Sequence, residues 1–362
     1  MNLNVFSEIA PLKNVIIHSP IGEHQYLKTI NTKESLGNSE NPDFLLFDEI
    51  VNSKILIDEH QKLKLVLDCF TKNNTITFQG LLNEILKDPI LQNNILKEVI
   101  KSELSLYGKN EYLSKKNFKG LSSKQISNIL ITGYLNKNQF FKFPLPNLIF
   151  TRDIGAVIGN TLLTTWSWHK SRQRESIITN FIIKHHPMFN NFDVFNFNKN
   201  FPGQSIEGGD INIFSDKIIC IGISQRTPLK SIEALLPTIF KNNFKYVYAI
   251  ELPNERKFMH LDCVFTKINL NECLVYPPLF INNEIDYNIY RYNSKLDCLK
   301  IHSKEQTLLE TFKNDGYNLT FIGCGGEKRV NQDLELLTMG ANVFNLKPGI
   351  IIGYFQNKET IR

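Results

Sequence analysis

The sequence predicts an α/β protein with a block of helices inserted near its beginning, and two changes of texture along the chain support this. From about Ile55 to Tyr134, apolar residues recur at the spacing of amphipathic helices. After Pro144, short apolar strands alternate with helical stretches. The 362 residues are 42% hydrophobic and 21% charged, which is typical of a globular chain with one large domain or a core domain with an insertion.

The first part of the chain indicates one strand followed by several helices. Residues 14–18 (NVIIH) predict a buried strand, which a Ser-Pro turn closes. Pro89 separates two of the helices that follow, and Ser122 or Ser123 can cap another. The helical stretch therefore predicts a module of its own.

The second part predicts a repeated order of strand, strand, helix and strand, without a visible repeat of sequence. The predicted strands are 156–159, 160–166, 211–214, 217–223, 246–250, 263–268, 272–276 and 349–355. The predicted helices are 171–184, 228–241 and 303–315. The predicted domains are a first module at 1–54, an inserted helical domain at 55–143 and the remaining modules at 144–362.

Composition argues against several classes of protein. The net charge of +5 is modest and no dense basic run occurs, so nucleic-acid binding is not supported. No apolar run approaches the ~18 residues that span a bilayer, and the first residues do not resemble a signal peptide. The six cysteines form no CxxC pair and no zinc spacing. We expect a cytoplasmic protein with free thiols and without a metal, cofactor or membrane partner.

Four short segments place chemically active residues in turn-prone parts of the chain. They are PNLIFTRD at 146–153, IEGGD at 206–210, SQRT at 224–227 and MHLD at 259–262. Several loops that converge on one pocket are the usual way to build an active site. Each segment alone has a simpler explanation: EGGD is most often a turn, and SQRT can begin a helix with Thr227 as its cap.

Together with SRQRE at 171–175, MHLDCVFT and the late MGAN…KPGIIIGYFQN, these segments resemble bacterial arginine deiminase. The resemblance rests on the order and spacing of six motifs. It implies a pentein fold, a five-fold pseudosymmetric α/β propeller shared with amidinotransferases, with an inserted helical domain. It also implies that the last module is incomplete and leaves strand edges unpaired, so that either poor solubility or compensating self-association into a homo-oligomer is expected.

The resemblance assigns roles to the residues that would hold a guanidinium group. Asp153 and Asp262 are expected to hold the planar cation, because carboxylates match its N–H donors. His260 is expected to act as general acid and base, with Glu207 supporting it. Asp210 belongs to the predicted substrate-binding set.

The same resemblance assigns residues to the other end of the substrate. Arg172 and Arg226 are expected to bind the α-carboxylate of L-arginine, because an arginine fork matches a carboxylate. Arg174 is a competitor for the first of these assignments. Asn147 and Phe150 are expected to line the pocket.

The implied reaction is the hydrolysis of L-arginine to L-citrulline and ammonia, and it requires a cysteine thiolate as nucleophile. In the family that cysteine follows the point where this chain stops, and Cys324 in GCGGE does not match its motif. We therefore keep two alternatives. One is a guanidine-binding remnant without catalysis, and the other is a different guanidine-modifying enzyme such as an amidinotransferase.

Four further residues favour ordinary structural explanations. His185 and His186 precede a proline and are expected at an exposed helix end rather than in a metal site. Trp166 and Trp168 alternate on a predicted strand, and both are expected to pack in the core or in a pocket wall.

Overall fold

The computed structural model describes residues 3–29, 45–46, 51–108, 113 and 118–362, and these form a mixed α/β chain. The chain divides into two compact units. Unit 1 contains Lys13–Ile154 and Thr164–Phe192, and unit 2 contains Asn2–Leu12, Gly155–Leu163 and Asp193–Arg362. The part of the first predicted module at 30–44 and 47–50 lies outside the described residues. The predicted boundaries at 54 and 143 stay a prediction.

Unit 1 is mainly helical, as the apolar periodicity predicts. Its helices are α1 (Ser53–Thr71), α2 (Phe78–Ile85), α3 (Pro89–Tyr107), α4 (Ser123–Thr132) and α5 (Gln173–His185). Pro89 is the first residue of α3, where its missing N–H costs nothing. Ser122 caps α4 in a capping box with Gln125, which confirms one of the two predicted caps.

Short strands complete unit 1. Strand β1 (Val15–Ile17) pairs in parallel with β2 (Thr75–Thr77), and β3 (Tyr134–Leu135) pairs with β4 (Asn138–Gln139). The turn after β1 is held by a buried carboxylate: Glu23 Oε2 accepts a hydrogen bond from Ile21 N–H, and Glu23 Oε1 lies 3.0 Å from His18 Nε2. The strand predicted at 14–18 is therefore confirmed.

Unit 2 contains most of the strands. They are β5 (Gly155–Ile158), β6 (Thr161–Thr164), β7 (Asp193–Asn196), β8 (Ile211–Asn212), β9 (Ile218–Ile223), β10 (Tyr246–Glu251), β11 (Phe265–Lys267), β12 (Glu272–Val275), β13 (Asn288–Asn293), β14 (Cys298–His302), β15 (Thr320–Gly323), β16 (Phe344–Lys347) and β17 (Ile350–Ile352). Its helices are α6 (Phe197–Asn200), α7 (Leu229–Lys241), α8 (Pro277–Phe280), α9 (Leu308–Asn314), α10 (Arg329–Leu337) and α11 (Lys358–Ile361).

The sheets of unit 2 show a recurring arrangement. Three sheets run in the orders β5-β6-β7, β14-β13-β10-β9-β8 and β11-β12-β15. In two of these sheets an antiparallel pair is followed by a parallel strand. Strand β9 is antiparallel to β8 and parallel to β10. Strand β12 is likewise antiparallel to β11 and parallel to β15. A helix precedes the third strand each time: α5, α7 or α9. This is the predicted order of strand, strand, helix and strand.

Two hydrophobic clusters stabilise unit 2 around these sheets. One surrounds β9 and α7 and includes Ile221, Leu235 and Ile239, all with no exposed surface. The other contains a stack of aromatic rings, in which the centroids of Phe214 and Phe312 lie 4.5 Å apart. Offset aromatic pairs of this kind add to the free energy of burial. The second cluster lies beneath the MHLD segment, because it includes Leu261.

Two of the structural expectations are wrong. Trp168 is 48% exposed, since β6 ends at Thr164 and the chain bends before the tryptophan. His186 is buried rather than exposed. Its Nδ1 accepts from Met188 N–H at 3.2 Å, so Nε2 carries the proton and donates to Glu84 Oε2 at 3.0 Å. Among the helices that the structure describes, none has the length and apolarity needed to cross a bilayer.

Candidate active site

The EGGD turn of unit 2 places Glu207 in a buried position. Glu207 has extended backbone, and Gly208–Asp210 form one turn of 3-10 helix before β8. The Glu207 N–H donates to Thr227 Oγ1 at 3.1 Å, and the residue is 1% exposed. Thr227 was expected to cap α7, but Pro228 occupies that position without a side-chain hydrogen bond. The hydroxyl of Thr227 instead fixes the backbone at Glu207.

His260 contacts this glutamate directly. Its Nε2 lies 2.9 Å from Glu207 Oε2, and His260 is only 4% exposed. A hydrogen bond to a carboxylate favours a protonated Nε2 and holds the ring in one orientation. A buried carboxylate paired with an imidazole can store and transfer a proton. The structure thus brings together the two residues that the sequence assigns to proton transfer.

Arg226 lies beside the same pair. Its Nη1 is 3.3 Å from Glu207 Oε2 and 3.5 Å from His260 Nε2. The SQRT loop that carries it is closed by a hydrogen bond from Ser224 N–H to Thr227 O at 3.1 Å. Both contacts of the guanidinium use Nη1 at long distances. The arginine therefore adds positive charge to the cluster without a tight bidentate pair.

Asp210 and Asp262 have different environments although both carry carboxylates. Asp210 is completely buried, and burial raises its pKa to about 7, against the opposing effect of His260. Its oxygens accept from Ser224 Oγ–H at 2.7 Å and from Leu261 N–H at 3.0 Å. Asp262 is half-buried, and the thiol of Cys263 lies 3.6 Å from its Oδ1.

Unit 1 contains a second cluster, around Asp153 and Arg172. Arg172 Nη1 donates to Asp153 Oδ2 at 2.6 Å, while Nε and Nη2 donate to Glu175 Oε2 at 3.0 and 2.9 Å. Nη2 also donates to the Asn147 carbonyl at 3.3 Å. Arg172 is 2% exposed, so this cluster is a buried ion-pair network. Glu175 was not singled out, although its spacing of three residues from Arg172 is a recognised pairing signal.

The remaining predicted residues of unit 1 differ in exposure. Asn147 is buried, and its side chain donates to the Leu45 carbonyl at 2.7 Å. Phe150 is 46% exposed, next to the 3-10 helix Pro146–Ile149. Thr151 Oγ1 donates to the Ile16 carbonyl, and Thr165 Oγ1 donates to the Asp153 carbonyl. These bonds fix the FTRD turn within unit 1.

Arg174, the competitor for the assignment of Arg172, lies in the core of unit 1. Its Nε donates to the Leu130 carbonyl, and Nη2 donates to the Phe143 carbonyl. Nη1 lies 3.4 Å from Glu103 Oε2, and the guanidinium covers the ring of Phe141. Burial lowers the pKa of this group. The structure therefore gives Arg174 a structural role.

The six cysteines all lie within the described residues, and none makes a disulfide. Four are buried: Cys220, Cys263, Cys273 and Cys324. Burial raises the pKa of each of these thiols, to about 12 for Cys273 and Cys324. A thiol of that kind stays protonated at neutral pH and is a poor nucleophile. Cys69 and Cys298 are exposed, on α1 and β14.

A mixed α/β chain with buried carboxylates, arginines and a histidine is typical of enzymes that act on a guanidinium group. The family model for arginine deiminase matches residues 43–362, so this chain belongs to the arginine deiminase family. It is 31% identical to the arginine deiminase of Borrelia garinii subsp. bavariensis, over 99% of this chain and 89% of that relative. It is also 31% identical to that of Listeria monocytogenes serovar 1/2a, over 98% and 88%.

Solved structures give a weaker likeness. An inosamine-phosphate amidinotransferase from Streptomyces griseus is 10% identical, with a TM-score of 0.48 over 99% of this chain and 87% of that one. A dimethylarginine dimethylaminohydrolase is also 10% identical, with a TM-score of 0.43 over 91% and 98%. Similarity this low does not identify site residues in this chain.

Proposed function

We propose that the protein hydrolyses L-arginine to L-citrulline and ammonia. One observation carries the proposal: the buried contact of 2.9 Å between His260 Nε2 and Glu207 Oε2, with Arg226 beside it. In a buried setting this pair holds a proton on a group whose ordinary pKa lies near neutrality. Membership of the arginine deiminase family supports the choice of substrate.

The proposed reaction has two halves. In the first, a cysteine thiolate attacks the guanidinium carbon and forms a carbon–sulfur bond. His260 gives its proton to the departing nitrogen, the carbon–nitrogen bond breaks and ammonia leaves. In the second half His260 takes a proton from water, whose oxygen attacks the same carbon. The carbon–sulfur bond then breaks, and the remaining proton of the water passes to the solvent as the C=O of citrulline forms and the thiolate is restored.

Substrate binding in this proposal follows the charges of the side chains. Arg226 supplies a cation for the α-carboxylate, and Asp262 supplies a half-buried carboxylate for the guanidinium. The assignments of Asn147, Phe150, Asp153 and Arg172 to the substrate remain predictions. The described contacts of Arg172 with Asp153, Glu175 and the Asn147 carbonyl use four of its five N–H groups, so a bidentate bond to a carboxylate requires the exchange of at least one of these contacts.

A second candidate function is guanidine binding without turnover. It is favoured by the cysteines, because the four buried thiols have raised pKa values. The two exposed thiols lie on α1 and β14, outside the motifs that carry the site residues. In this case the acid–histidine cluster binds a guanidinium ligand and the covalent step does not occur.

The test combines binding and turnover. Arginine binding is measured by calorimetry, and citrulline and ammonia are measured after incubation with arginine. His260→Ala is the catalytic variant, and we expect it to lower turnover by about 100- to 10,000-fold with arginine binding retained. A Cys69→Ser/Cys298→Ser double variant, with and without a thiol-alkylating reagent, tests whether an exposed thiol takes part.

Each outcome separates the candidates. Citrulline formation that needs His260 and is blocked by alkylation supports the full proposal. Turnover that survives complete alkylation contradicts the thiolate step. Binding without turnover supports the second candidate, and absence of both binding and turnover contradicts both. Agmatine, methylated arginines and glycine as acceptor distinguish this activity from amidino transfer.

We further propose that the three similar sheets belong to a five-fold repeated architecture with an inserted helical domain at 55–143. The support is the shared strand order of β5-β6-β7, β8-β9-β10 and β11-β12-β15, each with a helix before its third strand. A cytoplasmic location and self-association are part of the same proposal. Size-exclusion chromatography with light scattering tests the latter, and a monodisperse monomer contradicts it.

A further inference from the structure

One buried carboxylate in unit 2 joins two of the loops that carry predicted site residues. Asp210 Oδ1 accepts a hydrogen bond from the Leu261 N–H at 3.0 Å, and Oδ2 accepts from Ser224 Oγ–H at 2.7 Å. Asp210 and Leu261 are both completely buried. Hydrogen bonds of this kind are expensive to break because the unpaired groups stay away from water.

These two bonds determine where the neighbouring side chains lie. Leu261 stands between His260 and Asp262, so fixing its N–H fixes the backbone of the MHLD segment. Ser224 Oγ in turn accepts from the N–H groups of Arg226 and Thr227, each at 3.2 Å. The carboxylate therefore orders the loop of His260 and the loop of Arg226 together.

The backbone around Asp210 is adapted to this arrangement. A Cβ atom on Gly222 of β9 would lie 2.4 Å from Asp210 Oδ1 and 3.0 Å from Leu261 Cβ. A distance of 2.4 Å is far shorter than any normal contact, so a side chain at position 222 would displace the carboxylate. Glycine is needed here for close approach rather than for an unusual backbone conformation.

We propose that Asp210 is a positioning residue, which sets His260 and Arg226 against Glu207 by holding the Leu261 N–H and the Ser224 hydroxyl. The proposal rests on the proposed function for the identity of the substrate, but its geometric part does not need turnover. Because Asp210 is completely buried, it acts through the loops. Displacing a reacting group by about 1 Å can cost roughly 100-fold in rate.

The experiment uses the full chain with three variants. Asp210→Ala removes both acceptors, Gly222→Ala pushes the carboxylate aside, and Asp210→Asn keeps an acceptor for Leu261 but not for the Ser224 hydroxyl, whose oxygen already accepts from two N–H groups. The control is Glu335→Gln, because Glu335 also holds backbone N–H groups in unit 2, those of Glu359 and Thr360. Hydrogen exchange at the Leu261 amide, NMR shifts of the His260 ring nitrogens, thermal midpoints and arginine kinetics are measured.

We expect Leu261 exchange to become at least about tenfold faster in Asp210→Ala and Gly222→Ala. The His260 ring signals shift, kcat falls about 100-fold, and KM rises as well, because the displaced Arg226 loop binds the α-carboxylate. Asp210→Asn restores slow exchange at Leu261 and the wild-type His260 signals, because it keeps the acceptor for the Leu261 N–H. Glu335→Gln lowers the thermal midpoint without moving the Leu261 or His260 signals.

Three results would overturn the proposal. One is loss of binding or turnover in Asp210→Ala with unchanged Leu261 exchange and His260 signals, which would indicate contact with substrate. Another is an Asp210→Asn variant as impaired as Asp210→Ala, which would indicate a requirement for charge. The third is the same response in Glu335→Gln, which would indicate general destabilisation. If the wild-type chain does not bind arginine, the proposed function fails, while the exchange and NMR measurements still decide the role of Asp210.

Discussion

Two buried arginines, Arg172 in unit 1 and Arg226 in unit 2, belong to motifs of the same predicted site but make different contacts. Arg172 uses three nitrogens on two carboxylates at 2.6 to 3.0 Å. Arg226 uses one nitrogen, at 3.3 Å from Glu207 and 3.5 Å from His260. The contacts of Arg172 are short and join two carboxylates of unit 1. Those of Arg226 are long and place its positive charge next to Glu207 and His260.

The difference shows what local sequence contributes to each arginine. SRQRE places Glu175 three residues after Arg172, so a partner is always within reach on the first turn of α5. SQRT has no acid, and Ser224 and Thr227 bind backbone N–H groups instead. Arg226 therefore depends on an acid from another part of the chain, Glu207. In the described part of the chain, only Nη1 of Arg226 contacts Glu207 and His260, so its other N–H groups can donate to the carboxylate of a ligand.

The largest expected effect is on stability, from Arg172→Ala. Removing the guanidinium deletes the buried ion pairs of Arg172 with Asp153 and Glu175, and breaking a buried ion pair typically costs about 3–5 kcal/mol. Urea unfolding followed by circular dichroism measures the change. Lys62→Ala is the control, because its pair with Asp58 is on the surface of α1 and its removal should not move the midpoint.

The contrary result would also be informative. If Arg172→Ala keeps its unfolding midpoint but loses arginine binding, Arg172 is a substrate group as the sequence predicts. Arg172 and Arg226 would then differ in their contacts within the protein and not in their role.

The second effect is on binding, from Arg226→Lys. Lysine keeps the charge but cannot present the planar fork of arginine, so we expect arginine affinity to fall about 10- to 100-fold with little loss of stability. Calorimetry measures the affinity. Arg291→Lys is the matched control in unit 2, since Arg291 makes a bidentate pair with Asp315 and lies outside the motifs. Equal losses of affinity in both variants would argue against a ligand role for Arg226.

A third effect depends on pH and concerns Asp210. Its folded pKa of about 7 is above the ordinary value of 3.8, so the folded state binds a proton that the unfolded state releases between these values. The contribution of Asp210 to stability is therefore complete below 3.8 and is lost as pH rises through about 7. Asp210→Asn cannot ionise, so its unfolding free energy should fall less than that of the wild type between pH 5 and pH 8. Parallel pH profiles for the two proteins would contradict this.

Much of the fold could be predicted because its signals are local. The helical periodicity near Ile126 and Ile129, the proline at position 89 and the serine cap at position 122 all indicate helix boundaries that the structure confirms. Strands β9 and β10 are continuous apolar runs, which predict buried parallel strands. Strands β13 and β14 are not among the predicted strands, because Asn, Arg and Lys interrupt NIYRYN and CLKIH and neither is a continuous apolar run like β9.

The candidate site could be predicted as a set of residues but not as a set of contacts. The motifs identify Glu207 and His260, yet only the structure shows that their side chains meet. The sequence indicates Thr227 as a helix cap and gives no role to Ser224, because a hydroxyl can bind a group of its own segment or of a distant one. The sequence does not indicate that Gly222 matters, because its effect comes from the missing Cβ atom, which leaves room for the Asp210 carboxylate.

The smallest effect comes from two capping boxes that allow the units to be compared with the same chemical change. Ser122 pairs with Gln125 in unit 1, and Thr307 pairs with Glu310 in unit 2. Ser122→Ala and Thr307→Ala should each cost about 1 kcal/mol at neutral pH and leave arginine binding unchanged.

Lowering the pH should change the stability contributions of the two caps differently, because Glu310 can take up a proton and Gln125 cannot. The Thr307 N–H and Oγ–H both donate to Glu310 and lower the pKa of that carboxyl below 4.5, and Thr307→Ala removes only the Oγ–H bond. The contribution of this bond is present above that value and is lost as pH falls through the lowered pKa. Gln125 has no such proton, so the cost of Ser122→Ala should be the same at pH 3 and pH 7, while the cost of Thr307→Ala should shrink. Costs that change equally for both variants would show that acid acts on the whole chain rather than on the Glu310 carboxylate.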